Sequence, residues 1–425
     1  MNDGSDARFA TRALHVGGEP DPSTGARAPP IHQTTSYEFG TAAAAAERFR
    51  LESEAPIYSR FTNPTVRRLE QRLASLSGGT GAVCAASGMA AFDAATSVLA
   101  SAGDNVVVAE DGYGGTSTYL TTMASRRGVE TRTVDTLDPD AYADAVDDET
   151  AYVHCETVAN PSLVTPPLEA IADVAHDAGT PLFVDNTFAS PALCRPVEHG
   201  ADLVWESTTK WLHGAGTTLG GVLVDGGSFP WTDYPERFPE VGGESPSYDL
   251  CFAERFDDRA LAATVRYRAL RAVGAGQSPF DAWVTLQGVE TLPLRIARHC
   301  ENAARLAAYL DDHPAVEWVV YPGLESHETH EAATRYLDGG YGGMVSVGLA
   351  GGYDAARDLC ESLELASFLA NVGDARTLVV HPASTTHSQL SEAEQRAAGV
   401  HPELVRVSVG LEDAADICAD FGEAL

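Results

Sequence analysis

Short apolar runs alternate with amphipathic segments between residue 80 and residue 225. The apolar runs lie at residues 82–86, 105–110, 129–134, 151–156, 181–185, 202–207 and 221–225. Between them, helical spacing is found near residues 88–100, 115–127, 138–146 and 167–178. Strands that are apolar along their whole length are typical of a parallel sheet covered by helices on both faces. The pattern therefore predicts an α/β domain with a mostly parallel sheet.

The segments on either side of this region have other patterns. Residues 1–60 show no strong periodicity, and an arm of this length with proline and aromatic residues is expected to pack on a neighbouring subunit. Residues 226–258 are rich in glycine, proline and aromatic residues, which indicates a long loop or insertion. The C-terminal third mixes apolar runs with helical segments, which indicates a smaller α+β domain. The predicted organisation is an arm (1–60), a large domain (61–275) that contains the insertion, and a small C-terminal domain (276–425).

Polar residues stand at the ends of three predicted strands. Glu156, Asp185 and Ser207 each end one of the apolar runs. In open α/β sheets, ligands bind beyond the carboxyl ends of the strands. We therefore expect these three side chains to share one site.

Lys210 is the only lysine in the chain of 425 residues. It follows an apolar strand, which is an unfavourable place for a solvated charge. A desolvated lysine has a lowered pKa and can form a Schiff base with an aldehyde cofactor or a carbonyl substrate. In pyridoxal phosphate chemistry a lysine binds the aldehyde and a carboxylate pairs with the pyridinium nitrogen, and Asp185 is placed to be that carboxylate. The alternative is that Lys210 merely survives a composition poor in lysine.

A phosphate site is indicated by the stretch Ala86–Ala91, which follows a strand and opens a helix. Glycine permits close approach there, and the first N–H groups of a helix bind anions. The hydroxyls of Ser207 and Thr209 are placed to complete such a site. A plain glycine-containing turn is the alternative.

Two further strand ends carry residues suited to a flat cofactor. Tyr113 follows the strand at 105–110 and can stack on a ring. Asn160 follows the strand at 151–156 and can donate to a phenolate oxygen. A tyrosine packed on a helix start and an Asn-Pro turn are the ordinary alternatives.

The charge balance argues against several partners. The chain has 61 acidic and 28 basic residues, for a net charge of −33. Nucleic acids and anionic membranes are bound through basic surfaces, so neither is expected as a partner. An acidic, lysine-poor surface resembles that of halophilic proteins, in which molar salt screens the repulsion between like charges.

The cysteines and the N-terminus indicate a cytoplasmic protein. The seven cysteines are scattered without a C-x-x-C pair, which indicates reduced thiols rather than disulfides or a zinc site. The N-terminus lacks the apolar run of a signal peptide, and no segment has the apolar length of a membrane span. The pairs His327-x-x-His330 and His154-Cys155 leave a zinc protein as a remote alternative, but no metal is expected.

Taken together, the motifs resemble the pyridoxal-phosphate-dependent enzymes of cysteine and methionine metabolism, the group related to cystathionine γ-synthase. Their order and spacing are highly specific and cover nearly the whole chain. They are YSRFTNPT (58–65), ASGMAA (86–91), DGYGGT (111–116), ETVANPS (156–162), DNTFASP (185–191), STTKWLHGAG (207–216), HPASTTHSQL (381–390) and VRVSVGLE (405–412). The resemblance implies the aspartate-aminotransferase-like fold (fold type I) with pyridoxal 5′-phosphate as cofactor.

The resemblance also implies a role for each matching residue. The implied catalytic residues are Lys210, which binds the aldehyde, Asp185 at the pyridine nitrogen and Tyr113 on the ring. The other implied cofactor-binding residues are Gly88, Met89, Ser207 and Thr209 at the phosphate, Asn160 at O3′, Thr187, and Tyr58 and Arg60 from the adjacent subunit. The implied substrate-binding residues are Arg406, which holds the α-carboxylate, Asn371 and Tyr58. A site shared between subunits requires at least a dimer, and a homotetramer is expected.

Within this group the chain most resembles the O-acetylhomoserine sulfhydrylases. This implies γ-replacement on O-acetyl-L-homoserine by sulfide or methanethiol, giving L-homocysteine or methionine plus acetate. Gly115 stands where the methionine γ-lyases carry a cysteine, and Val-Gly-Asp-Ala-Arg-Thr (372–377) replaces a Gly-Gly-x-Glu-Ser-Leu stretch of the γ-synthases and cystathionine lyases. The alternatives are cystathionine γ-synthase or γ-lyase, O-succinylhomoserine sulfhydrylase and, remotely, a non-catalytic protein that binds the cofactor.

Overall fold

The computed structural model describes residues 7–245, 247–389, 391–397 and 399–425. The α-helices in these residues are α1 (Phe9–His15), α2 (Ala42–Phe49), α3 (Pro64–Ser77), α4 (Gly88–Leu99), α5 (Gly114–Tyr119), α6 (Pro139–Ala145), α7 (Leu168–Asp177), α8 (Ser190–Leu193), α9 (Phe252–Phe256), α10 (Ala260–Thr264), α11 (Arg271–Val273), α12 (Pro279–Glu290), α13 (Leu292–Asp311), α14 (His330–Tyr336), α15 (Gly352–Ser362), α16 (Glu392–Ala397) and α17 (Ala414–Ala424). Single turns of π-helix extend α5 (Leu120–Ala124) and α10 (Val265–Leu270), and 3₁₀ turns lie at Pro196–His199, Trp231–Asp233, Asp257–Arg259 and Pro382–Ser384.

The strands form one large sheet, one smaller sheet and a short hairpin. They are β1 (Gly81–Ala85), β2 (Asn105–Ala109), β3 (Glu130–Val134), β4 (Thr150–Glu156), β5 (Leu182–Asp185), β6 (Leu203–Glu206), β7 (Gly221–Asp225), β8 (Glu244–Ser245), β9 (Leu250–Cys251), β10 (Val316–Val320), β11 (Met344–Leu349), β12 (Ser367–Phe368), β13 (Leu378–Val380) and β14 (Leu404–Ser408).

The large sheet has the order β1-β7-β6-β5-β4-β2-β3. Neighbouring strands from β3 to β6 are parallel, whereas β7 is antiparallel to both β6 and β1. Every residue of β1, β4, β5, β6 and β7 is buried, because helices cover both faces. The predicted α/β class and mostly parallel sheet are confirmed, and each of the seven predicted apolar runs overlaps one of these strands.

Alternate residues of each strand enter different cores, since the side-chain period of a strand is two. Val184 of β5 packs in a cluster with Leu73 of α3 and Ile171 of α7. Its neighbour Phe183 packs in a second cluster with Phe92 of α4, and the two rings stack with centroids 5.4 Å apart. The sheet is therefore a central layer between two helical layers.

Local sequence accounts for the position of α3. Asn63 caps its first turn by accepting hydrogen bonds from the N–H groups of Thr65 (2.9 Å) and Val66 (3.4 Å), and Pro64 fits the first turn. Gly78 ends the helix in the left-handed conformation at φ 77°. The helical spacing of Val66, Leu69 and Leu73 in the sequence gives the buried face of this helix.

Residues 226–258, for which the sequence predicts a long loop or insertion, are not an irregular loop throughout. This segment contains the β8–β9 hairpin, α9 and two 3₁₀ turns. Five of its seven aromatic residues are buried in the second cluster; they are Phe229, Trp231, Phe238, Phe252 and Phe256. The composition is typical of a loop, but the aromatic rings pack against the outer face of the large domain and order the chain.

The C-terminal part contains the smaller sheet, of order β10-β11-β14-β13-β12. Its strands are antiparallel except for the β12–β13 pair. The 20-residue helix α13 connects the two sheets: Leu292 and Ile296 pack in the first large-sheet cluster, whereas Leu306 and Leu310 pack against the smaller sheet. The domain boundary at residue 275 stays a prediction. Among the described residues, no helix has the length and apolar character that crossing a bilayer requires.

Candidate active site

The carboxyl ends of β4, β5 and β6 bring the predicted strand-end residues together. In the sheet register Glu156 lies beside Asp185, and Asp185 lies beside Trp205. A tight turn follows β6, in which the N–H of Lys210 donates to the carbonyl of Ser207 at 3.1 Å. This turn places the lysine next to the strand ends.

The Lys210 amine is held by the C-terminal part of the chain. Its Nζ donates to Oδ1 of Asn371 at 2.6 Å. Burial lowers the pKa of Lys210, and the nearby positive charge of Arg406 lowers that pKa further. The environment therefore favours a neutral, nucleophilic amine.

Gly373 is in close contact with the backbone of this turn. A Cβ atom at Gly373 would lie 2.6 Å from the Trp211 nitrogen and 2.8 Å from the Lys210 carbonyl carbon. Its φ of 75° is a conformation that glycine adopts readily. The N–H of Gly373 donates to Oγ of Ser408 at 2.9 Å, so the contact is anchored in β14.

Asp185 is a buried carboxyl group at the end of β5. The neighbouring strand β6 leads into the turn that carries Lys210. It is 5% exposed, and its Oδ1 accepts a hydrogen bond from the N–H of Thr187 at 2.8 Å. Burial raises the pKa of Asp185 to about 7. The Thr187 hydroxyl in turn accepts from the N–H of Ser207 at 2.9 Å. A cationic nitrogen beside Asp185 would compensate for the burial of the carboxylate.

The start of α4 approaches the turn that follows β6. Ser87 caps this 12-residue helix by accepting from the N–H of Ala90 at 3.1 Å. A Cβ atom at Gly88 would lie 3.0 Å from Cβ of Ser207 and 3.1 Å from the Trp205 ring. Glycine therefore lets the helix amides and the Ser207 hydroxyl converge, which makes a cradle for an anion. Met89 follows in the first turn and is partly buried.

Thr209 is not free to bind an anion in this arrangement. Its hydroxyl donates to the carbonyl of Gly220 at 3.2 Å and accepts from the N–H of Gly220 at 3.1 Å. Thr209 could donate to a phosphate only if its hydrogen bond to the Gly220 carbonyl were broken.

Tyr113 precedes α5 and is 44% exposed. Its N–H donates to Oε1 of Glu156, whose side chain is 5% exposed. The ring lies over Gly115: a Cβ atom at position 115 would be 2.3 Å from Cε1 of Tyr113. A cysteine at this position would thus displace the Tyr113 ring, so the ring can occupy this place only because residue 115 is glycine.

Arg406 of β14 and Asn160 are directly hydrogen-bonded. Nη1 of Arg406 donates to Oδ1 of Asn160 at 2.6 Å. Nε of Arg406 is buried without a hydrogen-bond partner in the described part of the chain. Burial lowers the pKa of Arg406 to about 10. A buried guanidinium with a vacant donor is suited to a carboxylate ligand.

Tyr58 and Arg60 lie apart from these groups in the single chain. The Arg60 guanidinium lies 5.3 Å from the centroid of the Tyr58 ring, and Tyr58 is 41% exposed. None of the hydrogen bonds or ion pairs found among the described residues joins their side chains to Lys210, Asp185 or Ser207. Their expected role in a neighbouring subunit's site stays a prediction.

The histidines that suggested a zinc site form hydrogen bonds with other groups of the protein. Nε2 of His154 interacts with the indole Nε1–H of Trp205 at 3.1 Å, and burial lowers the pKa of His154 to about 3. Nδ1 of His330 lies 2.8 Å from the carbonyl of Pro322, whereas Nδ1 of His327 faces Thr329. Within the described residues, no group of three or more metal-ligand side chains is clustered.

The family profile "Cys/Met metabolism PLP-dependent enzyme" matches residues 10–425. The chain belongs to this family. It is 48% identical over 419 residues to homocysteine synthase of Schizosaccharomyces pombe, with 98% of each chain covered. It is 46% identical over 421 residues to O-acetyl-L-homoserine sulfhydrylase 1 of Thermus thermophilus, with 98% of this chain and 100% of the other covered.

A crystal structure supports the same family assignment. It is that of a Campylobacter jejuni protein assigned as an O-acetylhomoserine (thiol)-lyase, and it carries N′-pyridoxyl-lysine-5′-monophosphate. The two chains superpose with a TM-score of 0.94 at 37% identity, covering 98% of this chain and 99% of the other. The present chain is accordingly a pyridoxal-phosphate-dependent enzyme of fold type I, as the motifs led us to expect.

The residues of this family member fit the cofactor at each of its polar groups. Lys210 offers a desolvated amine for the aldehyde, and Asp185 offers a buried carboxylate without a cationic partner among the described ion pairs. The glycine contact at the start of α4 leaves room for a phosphate beside Ser207. These are the three groups by which a protein holds pyridoxal phosphate.

Two features of the site are not evident from the sequence. One is the contact between Gly373 and the Lys210 turn, and the other is the pair of hydrogen bonds that Glu156 accepts. The strand-end position of Glu156 is a sequence signal, but its partners lie in loops that only the fold brings together.

Proposed function

We propose that this enzyme replaces the γ-acetoxy group of O-acetyl-L-homoserine with sulfide or methanethiol, giving L-homocysteine or methionine plus acetate. The observation that carries the proposal is the placement of the chain's only lysine in a buried turn, between Asn371 and Arg406. The substrate is supported by relatives named homocysteine synthase and O-acetyl-L-homoserine sulfhydrylase, which match over their whole length. The reaction is a transfer step in methionine biosynthesis.

The proposed cofactor contacts follow from the site geometry. When bound, pyridoxal phosphate supplies an electron sink that stabilises negative charge at the substrate α-carbon. Lys210 would hold its aldehyde, and Asp185, oriented by Thr187, would keep its ring nitrogen protonated. The remaining proposed contacts are Gly88, Met89, Ser207 and Thr209 at the phosphate, Tyr113 on the ring face and Asn160 at O3′.

The chain's own residues would then bind the substrate and move its protons. The Arg406 guanidinium, which is buried and has a vacant Nε–H, would bind the α-carboxylate of the substrate in a bidentate manner. Asn371 would help to position that carboxylate and the lysine. The Lys210 amine would accept the α-proton and return protons at the neighbouring carbons, and burial lowers its pKa, which favours the neutral form that can act as a base.

A product assay with Lys210→Ala tests this proposal. Purified enzyme with pyridoxal phosphate would be given O-acetylhomoserine and either sulfide or cysteine. We expect homocysteine with sulfide, little cystathionine with cysteine, and turnover by Lys210→Ala at least about 10³-fold below the wild type, because both attachment and proton transfer are lost.

Other products would reassign the activity. Cystathionine as the main product would move the enzyme to the cystathionine γ-synthase or γ-lyase reaction, and preference for O-succinylhomoserine would change the substrate. Near-normal turnover by Lys210→Ala would refute the role of Lys210. Unchanged circular dichroism and Tm of that variant would show that its fold is intact.

We also propose that Tyr58 and Arg60 act in the site of a neighbouring subunit, within a homodimer or homotetramer. Both residues are exposed, and no hydrogen bond or ion pair among the described residues joins their side chains to Lys210 of the same chain, which supports this. Arg60→Ala and Lys210→Ala would each be inactive alone. After mixing and reassembly we expect about one quarter of the wild-type activity, since half of the dimers are mixed and each has one intact site. No recovery in verified mixed dimers would contradict the shared site.

We further propose a cytoplasmic location. In the described structure the seven cysteines are all unpaired thiols, which fits a reducing compartment.

A further inference from the structure

Glu156 connects two loops that both carry proposed cofactor contacts. Its Oε1 accepts the N–H of Tyr113, in the loop between β2 and α5. Its Oε2 accepts the N–H of Asn160, in the loop after β4, at 3.0 Å. One buried carboxylate thus fixes the backbone of the tyrosine proposed for the ring face and of the asparagine proposed for O3′.

The surroundings of Glu156 favour a positioning role over an ion pair. The described ion pairs include no cation bound to Glu156, and both of its hydrogen bonds come from backbone amides. A Cβ atom at Gly112 would lie 3.3 Å from its Oε1, so the loop approaches the carboxylate closely. Both oxygens act as acceptors, which a carboxyl group with its two oxygens can do and an amide with one oxygen cannot.

The loop that carries Tyr113 is not closely packed on all sides. A cavity of about 10 Å³, lined by residues that include Thr116, His154 and Glu156, lies behind Tyr113. The hydroxyl of Thr116 is buried there without a hydrogen-bond partner among the residues that the structure describes. A space of this size accommodates about one water molecule. The Glu156 bonds are therefore a specific restraint where close packing is incomplete.

We propose that Glu156 is a positioning residue that orients Tyr113 and Asn160 toward the cofactor. This inference rests on the proposed function of those two residues, but not on which thiol or acyl group the enzyme uses. Glu156 itself makes no proposed contact with the substrate.

The test compares Glu156→Gln with Asp225→Asn. The glutamine has the same shape, but only one acceptor oxygen, so one of the two loop amides is left without its bond. Asp225 is a matched control, because it is also a buried carboxyl group that accepts two backbone N–H bonds, from Gly227 and Ala262, both at 3.0 Å. It lies at the amino end of the neighbouring strand β6, away from the carboxyl ends that form the site, because it pairs with Leu203, the first residue of β6.

The readouts are the dissociation constant of pyridoxal phosphate, the visible circular dichroism of the bound cofactor, and the Tm of the cofactor-free protein. For Glu156→Gln we expect a dissociation constant at least about tenfold higher and an altered dichroic band, because leaving a buried amide without its acceptor is worth about a factor of ten or more. For Asp225→Asn we expect a lower Tm with wild-type cofactor affinity and dichroism. Glu156→Asp, which keeps both carboxyl oxygens but is shorter, should lie between the wild type and the glutamine variant.

Two outcomes would overturn the inference. One is a Glu156→Gln protein with a lowered Tm but a dissociation constant and a dichroic band equal to the wild type. The other, if that variant does not fold, is a folded Glu156→Asp protein with wild-type affinity and dichroism. A wild-type enzyme that binds the cofactor but forms another product would contradict the proposed function and leave this inference intact.

Discussion

At the scale of single residues, the site is built from charges that are expensive to bury. Glu156, Asp185 and Glu206 end three adjacent strands, and burial raises the pKa of each carboxyl group. Burial lowers the pKa of Lys210 and of Arg406 in the same region. A site of this kind costs stability in the absence of its ligands, because the groups lack the partners that would compensate for desolvation.

Replacing Asp185 with asparagine should therefore stabilise the cofactor-free protein. The folded-state pKa of about 7 lies above the ordinary value of 3.8, so the folded state binds the proton more tightly than the unfolded state does. The penalty for ionised Asp185 is absent below pH 4, grows as the pH rises, and is complete above pH 7. At pH 8 we expect Asp185→Asn to gain free energy of unfolding, up to roughly 4 kcal/mol.

Thermal unfolding of both cofactor-free proteins between pH 4 and pH 8 checks this prediction. The difference in Tm should grow across that range, and kcat of the loaded variant should fall. A difference that does not depend on pH would show that titration of Asp185 is not its cause.

At the scale of elements, the catalytic turn is held by the C-terminal part of the chain. The segment before β13 supplies Asn371 to the Lys210 amine, and Gly373 lies on the backbone of the same turn. Ser408 of β14 anchors Gly373, and Arg406 lies two residues away on the same strand. The smaller sheet therefore aligns the lysine and the proposed carboxylate site together.

A methyl group at position 373 should disturb this alignment. Gly373→Ala would force Cβ to within 2.6 Å of the Trp211 nitrogen, in addition to the cost of a left-handed alanine. We expect a loss of about 1–3 kcal/mol in the free energy of unfolding and at least about a tenfold fall in kcat. Chemical denaturation and steady-state kinetics measure both.

Gly352→Ala is the matched control for the backbone strain. Gly352 has a similar φ of 67°, but a Cβ atom there meets nothing within 4 Å. It should lose about 1 kcal/mol of stability and keep wild-type kcat. Equal kcat values for the two alanine variants would contradict the proposed importance of the contact at Gly373.

At the scale of the whole molecule, the most prominent property is a large negative net charge. The net charge of −33 arises from 61 acidic and 28 basic residues, and the single lysine is in the site. Repulsion between like charges destabilises a compact state, and it is screened over about 8 Å at 0.15 M salt and about 3 Å at 1 M salt. We propose on this basis that the enzyme is adapted to high salt.

Stability should accordingly rise with salt. Between 0.15 M and 2 M KCl we expect the Tm to increase by more than about 5 °C. Sucrose, which favours compact states without screening charge, serves as the control and should have the smaller effect at equal osmolality. A Tm that is independent of KCl would argue against halophilic adaptation.

The sequence by itself determined the α/β architecture, because buried strands, amphipathic helices and their caps are local patterns; Asn63 and Gly78 place both ends of α3 without reference to the rest of the fold. It also determined the family, since the motifs around Lys210 and Asp185 are contiguous. The aromatic residues of 226–258 were less informative, because composition cannot tell an exposed loop from one whose rings are buried.

Only the tertiary structure decided that Gly373 lies on the Lys210 turn, that Arg406 reaches Asn160, and that Glu156 links two loops. These contacts join residues that are distant in sequence, and their close approach depends on how the two sheets and their helices pack.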